Sequence, residues 1–585
     1  MFNKYYQDEL RYLRDLGSEF AKAHPAAAHL LAGEGSDPDV ERLLEGFAFL
    51  SARIRQKLDD ELPELTHALI GLLWPHYLRP IPSMAMLEFS PMFPSLREDR
   101  MIPRGSEIES VPVEGTSCRF RTAYDVPVHP IELEHVHLDT QIAGPSRLML
   151  KFRLHNQVPP GAMDLKSLRL FLHGEAATSY ALYLHLCEHV KEVRLRVEQA
   201  GRPEGEWPSA RLRIKPGGFG ENENLLPHPA ASFPGYGLLQ EYFTLPEKFL
   251  FVELKGLDQL GSMDVEELFQ VEIEFTHQLD ANLRPEDENI RLYCTPIVNL
   301  FPNQGDPIRL DRTQTEYRVR PSGRHPLHYE IYSIDQVSGY RTGTAREVIF
   351  PPFYSFVHSL AERQGSYYLA RLQSSVIDER VDTYLSFADA QGEDDLPAVE
   401  TISLDLTCTN RRLPEGLRMG DIKIPTESSP SFAKYKNITV PKPSVAPPLH
   451  GDLHWRLISH MSLNYLSLIS VEGLRGILEL YNFQVIRDQR AARANVLRMK
   501  GIQTVTAQPR DFMIRGFPVR GNQVTIEMLE DHFANEGDLY LMGSILDEFI
   551  GLYVTLNSFT QLTVKGMQRG EEYSWPCRTG RQPLL

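Results

Sequence analysis

The hydrophobic period of this 585-residue chain changes near residue 84, and that change limits what it can become. Before Met84, apolar residues recur every three or four positions; from Met84 onward they alternate. The first period belongs to amphipathic helices and the second to half-buried strands, so the sequence predicts an α+β chain with its helices first. The stretch Asp37–Pro80 carries the clearest helical signal. Asp37 can cap and Pro38 suits a first helical position. Val40, Leu43, Leu44, Phe47, Leu50, Ser51, Ile54 and Leu58 then fall on one stripe, with Glu41, Arg42, Glu45, Arg53, Gln56 and Asp59 on the other side. Phe49 stands opposite the stripe among charges. A lone surface aromatic is ordinary; it also suits a helix touched on two sides. Pro63 opens a second helix, Glu64 to Trp74, and Pro75 stops it.

Residues 2–23 read as a further amphipathic helix. Tyr6, Leu10, Leu13, Gly17 and Phe20 form its seam, which Tyr5, Tyr12 and Leu16 widen. Glu9 is discordant in that stripe and is read as a first-turn acid favoured by the helix dipole. So short a segment, residues 1–83, has little material of its own to cover stripes this wide. The expectation is a helical bundle completed by a partner. Its candidate interface residues are Tyr6, Leu10, Leu13, Gly17, Phe20, Leu43, Phe47, Phe49, Leu50 and Ile54.

From Met84, the segments MAMLEFSP, RLMLKFRLHN, LKSLRLFLHG, ALYLHLCEHV, KEVRLRVEQ and ELFQVEIEFTHQL read as strands of a mainly antiparallel β-rich domain, residues 84–305. Turn clusters such as Pro103-Arg104-Gly105 separate them, and GGFGENENLLPHP reads as a loop with mobile parts. A second β-rich domain, residues 306–442, contains EYRVRP, HYEIYSI, YYLARLQ, DTYLSFAD and TISLDLTCT, with the acidic run Asp389–Asp395 as a hairpin tip or loop. The Pro-rich segment Val440–Asp452 is a linker or extended strap leading to a mixed α/β C-terminal domain, residues 443–585. There, Trp455–Tyr465 and Val471–Tyr481 read as helices, FPVRGNQVTIEMLE as a strand and turn, and QLTVKG as a final strand. Residues 538–556 form a helix apolar on nearly every side, which must be buried in a core or between subunits.

The net charge of −17 argues against a general nucleic-acid or anionic-membrane binder. Five dispersed cysteines without a CxxC fit a reducing compartment. The N-terminus is charged throughout and lacks the apolar run of a secretory signal, and no stretch is long enough to span a bilayer. These features predict a cytoplasmic protein without direct membrane insertion. No phosphate loop, dinucleotide fingerprint, HExxH, GxSxG or zinc-spaced Cys/His set is read in the chain, so no catalytic group, cofactor or metal is expected. Three constellations are weaker. His135-Val136-His137 would put both imidazoles on one face of a strand. Asp59-Asp60-Glu61 reads best as a solvated helix end. Asp306, Arg309, Asp311 and Arg312 read as an ion-pair network at a domain junction. A β-rich carbohydrate-binding or carbohydrate-hydrolysing protein, with dispersed carboxylates, is the alternative.

Several long stretches resemble one family. YYQDELRYLRDLGSEFAKAHP, DPDVERLLEGFAFLSARIRQKLDDELPELT, LLWPHYLRPIPSM, IPRGSEI, CRFRTAYDV, YFTLPEKFLFVELKGL, CTPIVNLFPNQGDPIRLDRTQTEYRV, RGFPVRGNQVTI and GDLYLMGSILDEFIGLYVTLNSFTQL are similar, in order, to the TssF (ImpG or VasA) family. The resemblance is weakest over Ala143–Ala231 and Pro351–Pro448. It implies a baseplate wedge subunit of the type VI secretion system, with wing-like β-rich domains like those of contractile-phage wedges. It further implies two copies joined to one TssG, with TssK, TssE, the VgrG hub and neighbouring wedges as partners. The baseplate would be docked to the inner-membrane complex, and the tube and sheath would polymerise on it. The N-terminal helices would enter a bundle with TssG.

Overall fold

The structure, a computed structural model, describes residues 6–14, 38–59, 63–140, 144–198, 207–228, 232–265, 267–280, 283–310, 314–340, 347–353, 366–375, 381–389, 401–449, 457, 469–483, 489–514 and 516–580. The early helices form as the period requires. Residues 6–14 are helical, α1 is Pro38–Asp59 and α2 is Pro63–Leu73. Pro75 has no amide to continue α2, and the chain turns through a 3-10 segment, Pro75–Leu78, before its first strand, Met84–Pro91.

That strand lies near one edge of a six-stranded sheet. The order is Ile422–Ile424, Glu107–Val113, Thr116–Thr122, Cys294–Val298, Met84–Pro91, Ala433–Asn437. Two of these strands fall within the expected second β-domain, so the boundaries 84–305 and 306–442 need correcting. The unit with its own core is the excursion Phe301–Thr409, built around Val337, Phe350, Leu385, Leu404 and Leu406. After it the chain returns to finish the first sheet. Period-two patterning marks a strand but does not say which sheet it joins. The excursion is clasped where it leaves and re-enters. Asn410 N donates to Asn299 Oδ1 at 2.7 Å, and Asn299 Nδ2 donates to Asn410 Oδ1 at 2.8 Å and to Arg119 O at 2.6 Å. The Pro-rich segment behaves as a strap. Val445 bridges Ile81, and Ser83 Oγ donates to Lys442 O at 2.6 Å.

The larger sheet has eight antiparallel strands, ordered Ile290–Leu292, Ser167–Leu172, Phe251–Lys255, Ser209–Pro216, Val190–Val197, Leu268–Phe275, Arg147–Leu154, Ile131–Asp139. Two helices accompany it, α3 (Ala176–Glu188) and α4 (Pro234–Thr244). The segment ALYLHLCEHV is therefore mainly helix, against the expectation of a strand. Helix α3 packs on the sheet on one side and on a C-terminal helix on the other. A helix covered on both sides carries no 3.6-residue stripe, and its short apolar run is ambiguous in sequence.

The C-terminal part contains α5 (Val471–Leu480), α6 (Gln489–Gly501) and α7 (Glu536–Leu552). The expected helix Trp455–Tyr465 lies outside the described residues apart from Leu457. Strands Ile502–Ile514 and Phe517–Met528 make a long hairpin, and α7 crosses over to Phe559–Gly566, which runs parallel to Phe517–Met528. QLTVKG is not the final strand: Glu572–Ser574 and Arg578–Thr579 both pair back onto it. Helix α7 is buried on every side, between α3, α4 and its own sheet. At Gly537 a Cβ would lie 2.0 Å from Tyr180 O, so glycine is what lets α7 approach α3 this closely.

The described part of the loop GGFGENENLLPHP is fastened at Leu225 and Leu226, while Gly220–Asn222 are exposed. Leu225 and Leu226 are buried, and their amides donate to Glu241 Oε1 on α4 at 2.7 and 3.2 Å. The other Glu241 oxygen is held by Lys248 Nζ, and both side chains are 2% exposed. Removing one partner leaves the other charge buried and uncompensated. Lys248→Met is therefore expected to cost about 3–5 kcal/mol, read as a lowered thermal midpoint of the full chain. Lys255→Met, which breaks the more exposed Glu253 pair, should cost about 1 kcal/mol or less. Equal small effects would mean that the buried pair does not fasten this loop.

Candidate partner interface

Helix α1 presents its large apolar residues outward. Leu43, Phe47, Leu50 and Ile54 follow one another at helical spacing and are 73%, 59%, 61% and 62% exposed. The opposite side is seated through Ala48 and Ala52, both fully buried. Small residues allow close seating, so the helix is held by its alanines while its bulky stripe stays open. Phe49, on the side turned away from this stripe, is 37% exposed. In the first helical segment Tyr6 and Leu13 are half-buried. Leu10 is already buried within the chain, which corrects its expected place at a free interface. Gly17 and Phe20 lie outside the described residues.

The helix that follows is anchored to the body of the chain. On α2, Thr66 and Ile70 are buried, with Trp74 just beyond its end, while Leu69 and Leu72 remain partly exposed. Ser232 Oγ donates to Leu73 O at 3.1 Å, and Trp74 meets Tyr236 edge-on at 5.7 Å. In the 3-10 turn, Tyr77 Oη donates to Leu480 O at 3.2 Å and its ring packs on Phe483. His76 stacks on Tyr481, which stacks in turn on Tyr236 of α4. The end of α2 and the turn after it are thus bolted through aromatic rings to α4, α5 and the main core. Fully burying four large apolar side chains contributes on the order of 6–12 kcal/mol gross, before the cost of association.

The chemical constellations do not assemble. His135 and His137 are exposed; His135 Nδ1 pairs with Asp287, whose Oδ1 also accepts Val136 N at 2.7 Å. Asp59 ends α1, and Asp60 and Glu61 lie outside the described residues. No ion pair joins Asp306 to Arg309 among the described residues; Asp311 and Arg312 lie outside them, and the junction is carried by the asparagine clasp. A cleft of about 380 Å³ contains Glu223 and Glu253. Arg169 bridges both carboxylates. Burial alone would raise the Glu253 carboxyl, but hydrogen bonds from Arg169 and Lys255 hold it below the usual carboxylate range. A glycosidase acid needs the reverse shift.

Helices on a multi-sheet body, one of them with its apolar face open, have the build of a structural subunit with a face for a partner. The chain belongs to the TssF family: the family model described as "Type VI secretion system, TssF" matches residues 1–582. It is 32% identical to the type VI secretion system component TssF1 of Pseudomonas aeruginosa, covering all of this chain and 99% of that relative. Among solved structures, it is similar to a chain of the TssK-TssF-TssG baseplate subcomplex, with 34% identity, a TM-score of 0.77 and coverage of 93% of this chain and all of that one. A chain of the type VI secretion baseplate complex matches over the full length of both, at 30% identity and a TM-score of 0.68.

The base of the helices is acid-sensitive. Burial first, then His228 and Arg79, push the His76 imidazole from 6.5 down to about 3. The unfolded chain binds a proton that the folded chain refuses, so this contribution is complete above about pH 6.5 and drains away as pH falls towards 3. At about pH 5 the loss from this group is about 2 kcal/mol. His76→Gln should therefore flatten the fall in thermal midpoint between about pH 7.5 and about pH 5. An equally steep fall in the variant would place the acid sensitivity elsewhere.

Proposed function

We propose that this chain acts mechanically and without catalysis, as the wedge arm that joins a TssG subunit through the open face of α1. The observation that carries this reading is the outward stripe Leu43, Phe47, Leu50 and Ile54 on a helix whose other side is already seated. The solved TssK-TssF-TssG baseplate subcomplex contains a chain similar to this one. Two copies of this chain per TssG would give the stripe two equivalent uses, and TssK, TssE, the VgrG hub and neighbouring wedges would be met through the β-rich wings. No described helix is long and apolar enough to cross a membrane. Within this reading the chain works in the cytoplasm, in a baseplate docked to the inner-membrane complex.

The test is the mass of the co-expressed complex by light scattering after size exclusion. The unaltered chain is expected to give two copies to one TssG. Phe47→Asp and Leu50→Asp should each abolish the complex while leaving the circular dichroism of the body unchanged, because both side chains are exposed. A complex of unaltered mass with both variants would remove α1 as the interface.

A further inference from the structure

A triad of histidines lies where the eight-stranded sheet meets the C-terminal sheet. His185 and His189 are one helical turn apart at the end of α3, so both rings stand on one face. His277 arrives from the end of strand Leu268–Phe275. Its delivery is fixed by the backbone, since Thr276 N donates to His189 O at 2.8 Å. Each of the three offers one ligand atom, and these atoms all lie within 4.8 Å of one another. The ring centroids are 5.4, 5.8 and 4.5 Å apart.

We infer that His185, His189 and His277 form a binding site for a borderline transition-metal ion, with Zn²⁺ the best fit. Imidazole nitrogens select zinc, cobalt, nickel or copper over magnesium and calcium. A tetrahedral zinc site has its nitrogens about 3.3 Å apart, so modest ring rotations close the triad. His185 Nδ1 is buried and has no hydrogen-bond partner among the described residues, so it is available as a ligand atom. Thr276 Oγ1 sits 3.1 Å from His277 Nδ1, occupying that nitrogen and leaving Nε2 to coordinate. The surroundings favour a cation. The triad sits at the carbonyl end of α3, where the helix dipole is negative. Glu571 acts on His189 from the C-terminal sheet, and Tyr573 of that sheet lies 6.5 Å from the His189 ring. Water would complete the four-coordinate set. A metal here would staple α3 to the sheet beside α7, stiffening the seam between wing and C-terminal domain.

The HxxxH spacing of His185 and His189 stands in the sequence, but the third ligand is 88 positions further on and only the fold supplies it. The experiment uses untagged full-length chain, stripped with chelator and then titrated with Zn²⁺, and separately with Co²⁺. The expected result is about one Zn²⁺ retained per chain after gel filtration, a raised thermal midpoint, and Co²⁺ absorption bands of low-symmetry nitrogen coordination. His277→Ala, at an exposed position, should lose all three while keeping its metal-free midpoint. His135→Ala should keep all three. Retention by His277→Ala equal to the unaltered chain would overturn the site, and so would zinc lost from both on gel filtration.

Discussion

Helix α7 has no polar side, and the arrangement of the rest follows from covering it. One wall is α3 on the eight-stranded sheet, another is α4, and a third is the strand that α7 itself delivers. Even its charges recruit neighbours. Buried Asp538 takes Arg498 from α6 at 2.9 Å, and fully buried Asp547 takes Arg578 from the last strand. Desolvation makes such pairs poor sources of net stability, yet each costs heavily to break, so they hold the surrounding elements to one arrangement. Tyr236, Tyr481 and His76 then carry that arrangement to the foot of the N-terminal helices.

The chain treats the apolar residues of two of its helices in opposite ways. Helix α7 is enclosed by its own chain, while α1 keeps its bulky face outward and is seated through alanines. The same chemistry therefore gives an internal keystone in one place and an attachment face in the other. The excursion Phe301–Thr409 follows a third pattern. It has its own core and joins the body through the Asn299 and Asn410 clasp and through Arg119, whose guanidinium lies 4.8 Å from the Phe301 ring. A polar joint between two separate cores lets each keep its internal packing when load is applied across it, which suits a wing reaching from a wedge.

Much of this was legible along the chain. The α+β order, the helix over Pro38–Asp59, the buried character of α7 and most strands of the two β-rich regions follow from period and from proline and glycine punctuation. ALYLHLCEHV was not legible, because a helix covered on both faces shows no stripe. Helix α6 and the strand Ile502–Ile514 were missed too: α6 is rich in arginine and alanine, with a weak apolar face, and the strand is interrupted by Pro509. For the interface, the stripe itself was readable on α1, whereas the burial of Leu10 depends on packing within the chain.

Sequence alone determined the local periods, the open stripe of Leu43, Phe47, Leu50 and Ile54, and, through long ordered resemblances, the family. Tertiary structure alone decided which strands share a sheet, where the excursion closes, and which distant side chains meet. It returned Ala433–Asn437 to the edge of Met84–Pro91 and brought His277 to His185 and His189. The physical reason is that periodicity records only whether a side chain faces water or the interior. Which interior surface it meets is settled by long-range packing, which has no local signature.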